Sequence, residues 1–136
     1  MNIKLIDFNA FKFPERNHYN DAGADVFANK DCIIKPYSIE KVPLGFGIEL
    51  PDGFVALVLP RSGMSTNKGI TTESVPIDSG YRGEIHAILY NANKEPYKVT
   101  KGDKIAQLVI MPTILATFYT EEQRKRGDKA FGSSGY

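Results

Sequence analysis

Cysteine is almost absent from this chain: Cys32 is the only thiol, so no intramolecular disulfide can close and no cysteine cluster can hold a metal. That usage suits a reducing, cytoplasmic setting, and Cys32 reads as a small buried hydrophobe. An excess of one charge is also missing. The formal net charge is +1 and the pI is near 7.8, without the basic surplus that proteins use to neutralise nucleic-acid phosphates. Nucleic acid is therefore not an expected partner. Long apolar runs are lacking too. The most apolar stretch, Ile105 to Phe118, is broken by Gln107, Pro112 and Thr113 and falls short of the roughly 20 residues that span a bilayer. Met1 to Phe13 carries Asp7 among its apolar residues and no small-residue cleavage pattern follows, so neither a leader nor a membrane partner is expected.

What is present is a strand-rich pattern. The 136 residues, 42% of them hydrophobic, suffice for one domain with its own core. Apolar and β-branched runs alternate with Gly, Pro, Asn and Asp clusters, which predicts strands at Ile3 to Leu5, Ala24 to Phe27, Cys32 to Ile34, Ser38 to Val42, Gly45 to Leu50, Phe54 to Leu59, Glu84 to Asn91, Tyr97 to Val99 and Lys104 to Ile110. Such spacing implies a mostly β sandwich or barrel. In Glu84 to Asn91 both faces are apolar enough to predict burial on both sides, in a core or against another subunit. Leu50-Pro51-Asp52-Gly53 predicts a hairpin turn, and the one helical candidate is Ser62 to Lys68. The tail from Glu121 to Tyr136 changes character, charged at first and then rich in Gly and Ser.

Several loop-like clusters carry more chemistry than a turn needs. In Ile77-Asp78-Ser79-Gly80-Tyr81-Arg82-Gly83-Glu84, the Asp-Ser-Gly alone would satisfy a turn; Tyr81 and Arg82 are surplus. Arg82 reads as one half of an ion pair that holds this segment or a subunit contact. Asp21-Ala22-Gly23-Ala24-Asp25 offers two carboxylates that either hold a hard cation or solvate a strand start. Pro60-Arg61-Ser62-Gly63-Met64-Ser65 joins a guanidinium, able to bond phosphate oxygens in bidentate fashion, to the free N–H groups of a helix start; Ser62 could equally be an N-cap. In Lys101-Gly102-Asp103-Lys104-Ile105-Ala106-Gln107, Gln107 is a polar amide within an apolar strand and must find partners. Arg126-Gly127-Asp128-Lys129-Ala130-Phe131-Gly132-Ser133-Ser134-Gly135 has the composition of a mobile tail, apart from Phe131 and Arg126.

In their order and separations these clusters resemble the five motifs of the trimeric deoxyuridine triphosphate nucleotidohydrolases, the dUTPases, from residue 21 to residue 135. The resemblance implies a jelly-roll-like homotrimer with a β-rich core at 1–120 and a C-terminal arm at 121–136, belonging to the same domain and exchanged between subunits. It implies hydrolysis of dUTP to dUMP and pyrophosphate with Mg²⁺, by in-line attack of water on the α-phosphate. By the same resemblance Asp78 is the base that activates this water and Gln107 orders it. Asp25 holds the water shell of Mg²⁺, while Arg61, Ser62 and Gly63 contact the phosphates. Ile77 and Tyr81 belong to the nucleoside hairpin, where the Tyr81 ring lies under the deoxyribose and rejects a 2′-hydroxyl. Uracil is read by backbone around Ser74, Val75 and His86. Phe131 stacks on uracil, Arg126 meets the γ-phosphate, and Gly132, Ser133 and Ser134 complete the closed arm. The family commonly has glycine where this chain has Val75, Lys129 and Ala130, which alters the hairpin path and stiffens the arm.

Two other readings share the scaffold. The dCTP deaminases also have an Arg-Ser pair and a similar hairpin, but they need a Glu on the following strand as proton shuttle, and the matching position here is Ile88. A regulatory subunit whose nucleotide state controls a protein partner would be expected to lack the base or to carry an inserted segment; Asp78 is present and the chain is compact.

Overall fold

The computed structural model describes residues 1–127. The described chain is built from short strands: β1 (Lys4–Asp7), β2 (Ala24–Phe27), β3 (Cys32–Ile34), β4 (Ile39–Pro43), β5 (Phe46–Glu49), β6 (Phe54–Leu59), β7 (Ile70–Glu73), β8 (His86–Asn91), β9 (Tyr97–Val99) and β10 (Lys104–Pro112). Two short helices join them, α1 (Ser62–Lys68) and α2 (Glu121–Lys125). The strands pair antiparallel in four small sheets, ordered β1-β5, β2-β10-β6, β3-β9 and β4-β8-β7. Sheets this small cannot cover a core singly, and their inner faces meet around one apolar cluster that includes Val26, Ile34, Phe46, Val58, Leu89 and Ile105.

Alternation explains most of the strands. In β6, Ala56 and Val58 are buried while their neighbours are half-covered. β10 breaks the rule once: Ile105 and Ala106 are both buried because the register shifts between Lys104 and Ala106. That irregularity resets the alternation and sets Gln107 opposite Asp25 of β2 on one side and Leu59 of β6 on the other. Helix α1 ends where Gly69 adopts φ 66°, a left-handed cap that glycine takes without steric cost. Asn91, fully buried, donates to the carbonyls of Ile34 and Glu95 and accepts from the Asn93 N–H, so its amide meets no unpaired desolvation.

Several expectations need correction. β7 and α2 were not anticipated. The Ile70-Thr71-Thr72-Glu73 run is short and carries little apolar character; its strand form comes from pairing with β8. α2 is stabilised by a capping box in which the Thr120 side chain accepts from the Gln123 N–H and Gln123 reaches back to Thr120. The turn at 50–53 is no hairpin, because β5 pairs with β1 and β6 with β10; with φ 86° at Gly53 it carries the chain from one sheet to another. Ser62 is not the N-cap of α1, a position held by Arg61 in extended backbone without a side-chain bond. Within one chain the core covers only one face of β8: Ile85, just before the strand, Ala87 and Leu89 are covered, whereas His86, Ile88 and Tyr90 are half-exposed and His86 and Ile88 line a cavity. Of the two covers expected for that face, core or another subunit, the chain's own core is thereby ruled out.

Candidate active site

Three distant stretches of sequence meet because β2, β10 and β6 are neighbours. The Asp25–Gln107 cross-strand pair and the exit of β6 into Pro60 bring the first, fourth and second clusters to one end of that sheet. The Gln107 Nε2 donates to the Pro60 carbonyl at 2.9 Å. Asp25, whose side chain is only 18% exposed, faces the Arg61 guanidinium at 3.3 Å and the Lys104 ammonium at 3.5 Å. The backbone of Glu15 clamps Asp25 in turn, with bonds of 3.0 and 2.9 Å in the two directions. Lys12 beside Glu15 holds that carboxyl below its ordinary range. A cavity of about 320 Å³ opens here, lined by Asp21, Asp25, Arg61, Ser62, Gly63 and Gln107 among others. The guanidinium and the N–H groups at the start of α1 suit this polar pocket to a phosphate chain, and the two carboxylates suit it to a cation that offsets the phosphate charge.

The third cluster builds a second cavity, of about 240 Å³, on the other side of β6. Ile77 bridges to Ala56 through two backbone bonds of 2.9 and 3.2 Å, and the Ser74 hydroxyl donates to the Val58 carbonyl at 2.9 Å. These contacts fix one limb of the segment. The other is fixed by Ile85, whose N–H donates to Phe46 at 2.8 Å and whose carbonyl accepts from Leu44 at 3.1 Å. Between them, Asp78 is exposed at the cavity edge and its carbonyl accepts from the Tyr81 N–H at 3.1 Å. Val75, Ile77, Tyr81, His86 and Ile88 complete the predominantly apolar wall. A slot of this shape, apolar with few polar groups at its mouth, suits a planar base and a sugar.

The sequence profile of the dUTPase family matches residues 9–135. The chain belongs to the dUTPase family. It is 41% identical over 133 residues to the deoxyuridine 5'-triphosphate nucleotidohydrolase of Leifsonia xyli subsp. xyli, covering 93% of this chain and 88% of that protein. To the nucleotidohydrolase of the same name from Clostridium tetani it is 42% identical over 142 residues, with 99% and 96% covered. Among solved structures, the dUTPase from phage phi11 of S. aureus superposes with a TM-score of 0.84 at 27% identity, covering 90% of this chain and 97% of that one. The Staphylococcus bacteriophage 80alpha dUTPase, in a G164S mutant with dUpNHpp, gives 0.82 at 28% identity and covers 99% of both chains.

Within one chain the dUTPase clusters therefore fall into two groups. Asp25, Arg61, Ser62, Gly63 and Gln107 share one cavity; Val75, Ile77, Asp78, Tyr81 and His86 share the other. Ser74 lines neither, since its hydroxyl anchors the segment to β6. Arg126 caps α2, is exposed, and lines neither cavity. Phe131, Gly132, Ser133 and Ser134, with Lys129 and Ala130, lie outside the described residues. Arg82 makes no ion pair among the described residues; its guanidinium donates to the Ser79 and Tyr81 carbonyls and closes the turn on itself. Lys104 was overlooked as a member of the phosphate cavity's charge cluster, although its place three residues before Gln107 was a signal.

Among the described residues no set of three His, Cys, Asp or Glu converges as a metal centre. An ion that keeps most of its water needs few carboxylates, and Asp25, enclosed, lines the same cavity as Asp21. That pair fits Mg²⁺.

Proposed function

We propose that this chain hydrolyses dUTP to dUMP and pyrophosphate, as a dUTP diphosphatase. The observation that carries the reading is the convergence of Asp25, Arg61, Ser62, Gly63 and Gln107, from three separated stretches, on one polar cavity, together with a separate hairpin cavity edged by Asp78 and Tyr81. Arg61, Ser62 and Gly63 hold the phosphate chain through the guanidinium, the hydroxyl and the N–H groups of the helix start. The triphosphate then competes with Asp25 for Arg61, whose side chain is half-exposed. Mg²⁺, when bound, offsets the charge of the triphosphate, and Asp25 with Asp21 would hold it through its waters.

Asp78 takes the proton of a water whose oxygen attacks the α-phosphorus. The bond from that phosphorus to the bridging oxygen breaks, and pyrophosphate departs in line. Gln107, whose Nε2 is tied to Pro60, positions this water with the rest of its amide. Tyr81 lies under the deoxyribose, and backbone groups around Ser74, Val75 and His86 read uracil. Residues 121–136 are the arm of the same domain: Phe131 stacks on the base, Arg126 meets the γ-phosphate, and Gly132, Ser133 and Ser134 close over the chain of phosphates. The complete site is assembled between subunits of a homotrimer, a reading supported by Asp78 and Gln107 lining different cavities of one chain.

Deamination of dCTP is disfavoured by the walls of the nucleoside cavity. Ile88 holds the position at which a deaminase needs its Glu and carries no titratable group; of the Glu residues that line this cavity, Glu84 accepts the Gly45 N–H at 2.9 Å and Glu73 stands opposite Ile88 on β7. The Asp78→Asn variant tests the mechanism: it keeps the shape and removes the base, so turnover of dUTP should be lost while binding of a non-hydrolysable analogue persists. Near-normal turnover in that variant would remove Asp78 from the proposed role.

A further inference from the structure

The ring of Tyr81 is held by devices that lie outside the hydrolytic groups. Its hydroxyl donates to the Glu84 carbonyl at 2.7 Å, so the phenol folds back across the residue between them. That residue is Gly83. A Cβ built on it would stand 2.5 Å from the Tyr81 hydroxyl oxygen, 2.7 Å from Cζ and 3.0 Å from Cε1, well inside van der Waals contact. The need for glycine here is steric and arises from the ring. Behind Gly83 the backbone is pinned on two further sides. The Glu84 carboxylate accepts the N–H of Gly45, which has φ 81°. A Cβ on Gly47 of β5 would stand 2.5 Å from the Gly83 carbonyl, so this strand too makes room for the segment.

We propose that Gly83 and Glu84 are positioning residues that set the height and tilt of the Tyr81 ring, and through it the discrimination between deoxyribose and ribose. This inference rests on the reading of the hairpin cavity as a deoxyuridine nucleotide site. A β-carbon at Gly83 is relieved most cheaply by moving the ring, because the crowded atoms are the far end of a side chain. A ring pushed into the cavity takes space from the deoxyribose, and a ring swung out admits a 2′-hydroxyl. Both displacements lower the preference for dUTP over UTP. The Glu84 carboxylate acts one step further back: with the Gly45 N–H unanswered, the peptide whose carbonyl receives the phenol keeps its Ile85 N–H bond to Phe46 but loses its second hold.

The test is the ratio of kcat/KM for dUTP to that for UTP, measured on the full chain as the trimer with Mg²⁺. Gly83→Ala should lower this ratio on the order of tenfold or more, in line with the sensitivity of positioned groups to shifts of an ångström. Tyr81→Phe, which keeps the ring and loses its anchor, should lower it roughly fivefold, the worth of one ordinary hydrogen bond. Glu84→Ala should lower it, and Glu84→Gln, whose amide oxygen can still accept from Gly45, should restore it. Should Gly83→Ala fail to fold, the Tyr81→Phe and Glu84 variants decide the matter. Wild-type ratios in Gly83→Ala, Tyr81→Phe and Glu84→Ala, alongside a collapsed ratio in Tyr81→Ala, would overturn the positioning role and leave the site assignment intact. A wild-type protein that turns over dUTP and UTP alike would overturn both.

Discussion

Asp25 is where the charges of the phosphate cavity meet, and it illustrates how a residue's role depends on what surrounds it. Its carboxylate is largely enclosed and answered by both Arg61 and Lys104, so burial does not leave it an unpaired charge. Its chemistry was readable from the Asp-Ala-Gly-Ala-Asp string only as one of two possibilities. The cross-strand partner Gln107 brings it to the polar cavity, and that partner is set by a register shift in β10 that no local pattern announces. Arg82 shows the reverse: a lone guanidinium suggested an ion pair, yet the backbone carbonyls of Ser79 and Tyr81, three residues and one residue back in the same turn, are its acceptors. Cys32 is less buried than its rarity suggested. It is half-buried against the core, and burial, with the Glu40 carboxylate adding to it, pushes its thiol above the ordinary 9.0. Since the thiolate is the nucleophile, alkylation at pH 7.5 should be slower in the folded protein than in the denatured chain, and its rate should keep climbing as the pH passes 9. Equal rates for the folded and denatured chains would contradict this environment.

At the scale of elements, β10 is the strand on which the phosphate cavity depends. The apolar run was visible in the sequence, as was the oddity of Gln107 inside it; the partners were not, because pairing between strands far apart in sequence leaves no periodic trace. Several strands were nonetheless found at their observed bounds, among them β2, β3, β6 and β9, since each is short, β-branched and bracketed by turn residues. β7 escaped because its strand form depends on β8 more than on its own residues, and α2 because a single capped turn of five residues has too little length to show a helical period. The close packing of Gly23 on Gln107 is another feature with no signature in sequence. A Cβ at Gly23 would stand 2.9 Å from the Gln107 Cδ and closer still to its Oε1. The amide is the movable partner, so Gly23→Ala should turn it from its bond to Pro60. We expect kcat for dUTP to fall about tenfold or more with a smaller change in KM, as for a group that acts on the attacking water. An unchanged kcat would detach Gln107 from that role.

For the whole molecule, the central fact is that the two cavities of one chain share no lining residue, with Asp78 on one and Gln107 on the other. A single chain also leaves large apolar side chains uncovered after β10, with Ile114 90% and Phe118 88% exposed; surface of this kind marks an interface. The homotrimer proposed above predicts a mass in solution of three times the 15.1 kDa chain. Mixing subunits tests the division of the site itself. Asp78→Asn and Gln107→Ala chains should each form inactive trimers, and trimers reassembled from a mixture should regain activity, because some sites then combine an intact Asp78 with an intact Gln107 from different chains. A site contained in one chain could not be rescued in this way, and persistent inactivity of the mixture would say so.

The measurement that bears most directly on the account is product release from dUTP, dCTP, dTTP and UTP, assayed side by side with and without Mg²⁺. The account predicts pyrophosphate and dUMP from dUTP, with Mg²⁺ required for full rate and the other three nucleotides turned over far more slowly. Ammonia released from dCTP, or no pyrophosphate from dUTP in the presence of Mg²⁺, would contradict it.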